Sequence, residues 1–174
     1  MDPAGTILPQ QPFPRAMFGT ASATTTFQCE TNPTYLDIPF RAVSNFNGQS
    51  SSSVSRRVLI TSGQPLDDMF KYVVTPPVTR LSLAEATLRW RHIAPTAPDT
   101  LWCHPYFTHD PFVISHTPDI YIVGNQVEFQ TKIVAEGAEK CRVVLLPSFS
   151  ETGILVLVNL ASLEVQVLKC HHGM

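Results

Sequence analysis

The most regular alternation of apolar and polar positions lies between residues 57 and 90. Arg57-Val58-Leu59-Ile60-Thr61 is a short apolar run that breaks at Ser62-Gly63, as a buried strand does when it turns directly into a helix. Three signals mark that helix. Pro65 suits a first helical position, Asp67 and Asp68 fall in the first turn where the macrodipole favours anions, and Leu66, Met69, Phe70 and Val73 form an i, i+3, i+4, i+7 stripe. Pro76-Pro77 ends it, because proline lacks the amide a continuing helix needs. A second helix is predicted from Ser82, where S-x-x-E with Glu85 reads as a capping box. Leu83, Ala84, Leu88 and Trp90 would make its apolar surface, and Pro95 is its limit.

The flanks are strand-like or irregular. Residues 1–26 are expected to be irregular, since LPQQPFP forbids a helix and TASATTT has no periodic face. Between Phe27 and Ile38 two short strand pieces flank the turn dipeptide Asn32-Pro33. The Ser/Gly/Asn-rich stretch 44–55 buries too little to stay ordered and is read as a solvent loop. Trp102 to His116 is an aromatic, proline-rich loop, and Asp119–Val123 is a short strand closed by Gly124. Cys141–Leu146, Gly153–Asn159 and Leu163–Leu168 then predict a closing antiparallel meander. In its last strand Leu163, Val165 and Val167 alternate with Glu164 and Gln166. Strands interleaved with helices, followed by a run of strands, define a mixed α/β (α+β) sheet protein.

Composition narrows the class. The 174 residues carry 12 Lys+Arg against 14 Asp+Glu, too close to neutrality for a basic clamp on nucleic acid, and 44% are apolar, as a chain with a real core requires. The longest apolar run, Gly153–Val158, is far short of a bilayer crossing, so no membrane is implied. The proline-interrupted start lacks the pattern of an export signal, and an intracellular compartment is expected. Cys29, Cys103, Cys141 and Cys170 form no CxxC pair and read as ordinary buried thiols, structural or incidental, of a reducing compartment.

Candidate chemistry is sparse. His104 and His109 have a zinc-like H-x4-H spacing and Cys170-His171-His172 offers three soft ligands, but neither cluster has a second ligand pair, so satisfied loop histidines are the better reading. His92 and His116 are read the same way. Asp67-Asp68 is explained by the helix dipole without acid–base chemistry. Ser148 and Ser150 lie outside any G-x-S-x-G elbow, and eight scattered glycines make no phosphate-binding loop. Arg89, Arg91 and His92 sit where the end of the second helix favours cations.

Three segments, ATLRWRHIAPTAPDTLWCHPY (86–106), HTPDIYIVGNQVEF (116–129) and VVLLPSFSETGILVLVNLASLEVQ (143–166), resemble the B-subunit family, the small second subunits of replicative DNA polymerases, and those of polymerase delta most. TSGQPLDDMFKY (61–72) and DPAGTILPQQP (2–12) resemble that family in the same order. The resemblance implies the C-terminal part of a calcineurin-like phosphoesterase sandwich over 1–174. Family members carry an upstream barrel and the first half of the phosphoesterase domain, so a C-terminal fragment or truncated gene product is expected, prone to aggregate when isolated because half a sandwich exposes apolar faces and strand edges.

The resemblance also implies a dead metal site. Active members hold two ions about 3.5–4 Å apart, with ligands in GNHD, HG and GHxH segments. Only Asp2 matches the first of these, Ser62-Gly63 stands at the second, and Gly124-Asn125-Gln126-Val127 at the third. Degenerate metal positions are thus Asp2, Ser62, Asn125 and Val127, with no catalytic residue and no cofactor. The implied role is a nuclear, non-catalytic scaffold in DNA replication. It would bind the C-terminal module of the polymerase delta catalytic subunit and a third, elongated subunit, and would reach DNA only through the complex. Trp102, Tyr106, Phe107 and Phe112 are candidate partner contacts, aromatics being enriched at interfaces, with a place in the chain's own core as the alternative for each. The competing readings are a residual phosphoesterase, a degenerate copy without independent function, and a direct nucleic-acid binder, the last disfavoured by the acidic balance.

Overall fold

A computed structural model describes residues 7–23, 26–41, 53–137 and 139–170. Its centre is a five-stranded mixed sheet made of β1 (Thr34–Arg41), β2 (Ser53–Thr61), β3 (Ile120–Gln126), β4 (Gln130–Glu136) and β5 (Glu139–Pro147), in the spatial order β1-β2-β3-β5-β4. The three inner strands are parallel and the two edges antiparallel: Leu59 stands beside Tyr121 and Tyr121 beside Val143, while β1 returns along β2 and β4 along β5. Inner parallel strands are covered on both faces, which is why VLI, IYIV and VVLL are continuous apolar runs.

The two faces have different covers. Two helices, α1 (Gln64–Phe70) and α2 (Arg80–Trp90), form the crossover between β2 and β3. Leu66 and Met69 from α1 and Leu83, Ala84 and Leu88 from α2 pack with Leu59, Tyr121, Val123, Val143 and Leu145 in the main core. Each large apolar side chain so buried contributes about 1.5–3 kcal/mol of transfer free energy. On the other face Val58 and Ile120 meet Leu163. Leu163 belongs to the turn of a separate hairpin, β6 (Ile154–Val158) and β7 (Val165–Lys169), which follows the one-turn helix α3 (Phe149–Thr152). Two arginines of the large sheet hold that turn by its carbonyls. Arg56 donates to Leu160 at 2.9 Å and Ala161 at 3.3 Å, Arg142 donates to Leu163 at 2.8 Å, and Arg56 also pairs with Asp119 at 2.7 Å. Beyond the turn Leu155, Leu157, Val167 and Leu168 are exposed.

The structure corrects several expectations. Helix α2 starts at Arg80, and its capping box is Thr79 with Ser82, each side chain bonded to the other's backbone N–H. Glu85 faces Arg89 at 2.6 Å and Lys132 at 2.5 Å instead. Trp90 is exposed, not part of the apolar surface, although it follows Leu83 and Thr87 on the same helical face, and it is the last residue of α2. Helix α1 ends at Phe70, short of the Pro pair, so Val73 packs on the core from a turn. Gly124 lies inside β3 beside a register shift, not at its end. Strand β4 was not foreseen. It makes β5 the partner of a preceding strand, so the closing run is two hairpins rather than one meander, and β7 is exposed along nearly its whole length instead of having one dry face.

Near the N-terminus, Arg15–Ala23 forms 3-10 turns broken at Phe18 and Gly19. Asn32 pairs with Gln10 in an isolated bridge ahead of the single strand β1. Ser53–Ser55 belong to β2, while the last residues before them, Ser51 and Ser52, like the 44–50 stretch, Asp2, His171 and His172, lie outside the described residues. All four cysteines are free thiols, but contrary to the buried reading only Cys141 of the four is buried; Cys29 and Cys103 are half-buried and Cys170 is exposed just after β7. Among the described residues no helix is long and apolar enough to cross a membrane.

Candidate functional site at the carboxyl ends of the parallel strands

Open sheets with parallel strands present ligands at the strands' carboxyl ends. Here those ends are Ser62-Gly63 after β2, Gly124–Val127 at the end of β3, and Pro147-Ser148 after β5. Gly63 has φ 97°, and a Cβ there would stand 2.1 Å from the carbonyl oxygen of Gly124. Only glycine allows β2 to leave the sheet this close to β3. The bulge next to Gly124 turns Gln126 inward and leaves Asn125, at φ 52°, and Val127 in solvent.

Three of the four positions expected for a degenerate metal site thus lie at one sheet edge. Ser62 is engaged: its hydroxyl accepts from Asn32 Nδ2 at 2.8 Å and its amide donates to Asn32 Oδ1 at 3.0 Å. Asn125 offers an amide oxygen, and Val127 offers methyl groups alone. A hydroxyl already bonded, one amide and one apolar side chain supply at most one free oxygen ligand, which does not fit a dinuclear metal centre built from a cluster of Asp, Asn and His. Among the described residues no three His, Cys, Asp or Glu side chains converge to hold a metal ion.

Beneath this edge is a polar cluster that sequence reasoning missed. Arg80 stacks over the Phe70 ring at 4.5 Å, pairs with Asp67 and donates to Gln126 Oε1 at 3.1 Å, while Gln126 Nε2 donates to the Gly124 carbonyl at 3.0 Å. Asp67 therefore has a partner beyond the helix dipole. Asp68 differs more. It is 4% exposed, and its Oδ2 accepts from Thr96 at 2.7 Å and Thr100 at 2.6 Å. Burial pushes this carboxyl's pKa up, but the hydrogen bonds from Thr100, Thr96 and Lys71 outweigh it and hold the group below its ordinary value. No periodicity signals such a pairing, because the partners lie about thirty residues downstream in a loop.

The second candidate region is the aromatic loop. Phe107 is 95% exposed, Trp102 67%, and Tyr106 projects beside them. Phe112 is not exposed like them: at 3% exposure it lies in the main core, where its ring packs near His92. Tyr106 and Phe107 line a groove of ≈ 570 Å³ with Pro98, His104, His109 and Pro111, which the buried Phe112 also lines and Trp102 does not. His104 and His109 are both exposed, and His109 stacks on Tyr106 at 5.3 Å and bonds Thr108. His92 has a structural role, since its Nδ1 accepts from the Ala94 amide at 3.2 Å and its Nε2–H donates to Asp110 at 2.8 Å. Burial raises the Asp110 pKa, but the bonds from His92 and the Phe112 amide overcome this and keep it low.

The family model for the B subunits of DNA polymerases alpha and epsilon matches residues 1–133. This match spans well over half of the residues, and the chain belongs to that family of polymerase B subunits. Within it, the chain is 41% identical over 170 residues to the "DNA polymerase delta small subunit" of Arabidopsis thaliana, covering 97% of this chain and 34% of that protein. It is 35% identical to the protein of the same name from Saccharomyces cerevisiae (97% and 37%) and 37% identical to "DNA polymerase delta subunit 2" of Drosophila melanogaster (97% and 35%). The chain spans about a third of the length of the curated relatives it matches.

Proposed function

We propose that this chain serves as a nuclear, non-catalytic part of a polymerase delta accessory subunit. It would scaffold the C-terminal module of the catalytic subunit and a third subunit during DNA replication. The observation that carries this reading is the similarity along 97% of the chain to proteins named as delta small subunits. The strand edge supports the non-catalytic half of the reading, since Ser62 is bonded to Asn32 and Val127 has no lone pair to give a metal. The exposed Trp102, Tyr106 and Phe107 support the scaffold half, because solvent-facing aromatics on a near-neutral surface suit protein contacts.

The test is co-purification of the tagged chain with the catalytic subunit's C-terminal module, alongside a phosphodiesterase assay in manganese. Stable association without hydrolysis is the expected result. Manganese-dependent turnover that Asn125→Ala abolishes would overturn the non-catalytic reading, and failure to associate would overturn the scaffold.

A further inference from the structure

The aromatic loop is anchored differently at its two ends. Its far end is fixed by the segment that follows α2: Ile93 N–H donates to the Phe112 carbonyl at 2.9 Å, Ile114 N–H to the Arg91 carbonyl at 2.9 Å, and His92 holds Asp110. Its near end is held by an extended piece from the start of the chain. Leu8 N–H donates to the Trp102 carbonyl at 3.0 Å, and His104 N–H donates to the Leu8 carbonyl at 2.8 Å, while the Leu8 side chain is 0% exposed in the main core. Two residues on, Gln10 and Asn32 exchange both backbone bonds, at 2.8 and 3.0 Å. The Asn32 carboxamide in turn holds the amide and hydroxyl of Ser62. Six hydrogen bonds thus run without a gap from Trp102 to the carboxyl end of β2, through residues that belong to neither.

We infer that residues 7–10 are a strap that couples the aromatic loop to the β2 edge, so that Trp102 is presented only while Leu8 is seated and Asn32 is locked on Ser62. The strap is the shared element: the loop and Asn32 both hold it by backbone bonds, so a displacement at one end removes the partners of the other. Two buried side chains, Leu8 and Pro9, keep it in place. The consequence for partner capture rests on the scaffold reading; the coupling itself does not.

The test reads amide hydrogen exchange in the full chain at low micromolar concentration, in a Trp90→Phe background so that fluorescence reports Trp102 alone. Each variant is read at the amide it does not touch. Leu8→Ala should raise exchange at Ser62, and Asn32→Ala should raise exchange at His104, each by about tenfold, the change that about 1.4 kcal/mol of lost contact produces. Trp102 emission should shift in both, while Val123 and Val143 in the sheet interior stay protected. Unchanged His104 exchange in Asn32→Ala overturns the coupling, as does unchanged Ser62 exchange in Leu8→Ala. Should Leu8→Ala also expose Val123 and Val143, the fold itself has weakened and Asn32→Ala alone decides. Binding of the catalytic subunit's module is measured in parallel: a wild-type chain that does not bind defeats the scaffold reading and leaves the exchange result standing.

Discussion

Replacing Asp68 by asparagine asks what the first helix draws from its two adjacent acids. If the macrodipole were the whole explanation, Asp67→Asn and Asp68→Asn would cost the same, about 0.3–1 kcal/mol each. The structure separates them. Both threonine hydroxyls donate to one oxygen of a carboxylate that is 4% exposed. Hydrogen bonds to a charged acceptor contribute about 1.5–3 kcal/mol each, against about 0.5–1.5 for neutral ones. The carboxamide of the variant would keep neutral bonds at best, so Asp68→Asn should cost about 2 kcal/mol, and Asp67→Asn, with its partly exposed Arg80 pair, about 1 kcal/mol or less. Urea unfolding at pH 7, followed by circular dichroism, gives both numbers. The pH dependence supplies the sign. The folded Asp68 pKa lies below the unfolded value of about 3.9, so its contribution is complete above about pH 5 and is lost as pH falls through the folded value. The gap between wild type and Asp68→Asn should therefore narrow in acid. Equal losses for the two variants at pH 7, or a gap that stays constant between about pH 5 and pH 3, would refute the reasoning.

Other outcomes follow from the same structure. Phe112→Ala should destabilise by about 3–5 kcal/mol and Phe107→Ala by no more than about 0.5, read by thermal unfolding, because one ring is in the core and the other in solvent. Thr79→Ala should cost about 1 kcal/mol of stability through loss of the α2 cap, whereas Ser82 with Glu85 is not a box and Glu85→Gln should act only through its surface pairs. Burial pushes the Cys141 thiol up to about 12, so at pH 8 a maleimide should label exposed Cys170 quickly and Cys141 only on unfolding; fast labelling of Cys141 in the folded chain would contradict its placement.

Much of the architecture was legible because it rests on local chemistry. The 57–61 run, the Pro65 start and the Leu66, Met69 stripe all act within one turn or one strand, and they form β2 and α1. Strand β4 was not legible. Its sequence QTKIVAE, with Lys132 and Ile133 both in solvent, carries the weak apolar signal of an edge strand. The α2 cap was misplaced by three residues because S-x-x-E and T-x-x-S overlap at Ser82, and spacing alone does not choose between them. At the site, resemblance put Ser62, Asn125 and Val127 together, yet nothing in the sequence hinted at Asn32, Gln126 or Arg80. Their roles depend on bonds across 30 and 46 residues that no local pattern encodes. Phe112 and Phe107 are both loop phenylalanines in sequence, and it is bonds to the distant Arg91–Ile93 segment that hold Phe112 inward.

The parallel core also dictates when parts of the molecule can form. Hairpins β4–β5 and β6–β7 close over short stretches, and loop closure this local takes microseconds. Strand β2 meets β3 across a separation of 62 residues, marked by Arg57 N–H on Asp119, and both helices must already lie in the crossover. The central pairing should therefore be the slow step of folding, and stopped-flow refolding in which hairpin and whole-sheet signals appear together would contradict that. Until it happens, β2 is paired only with β1 and β3 only with β5, so the apolar runs VLI and IYIV each keep one open edge, and chaperone binding to a nascent chain should concentrate on those two segments.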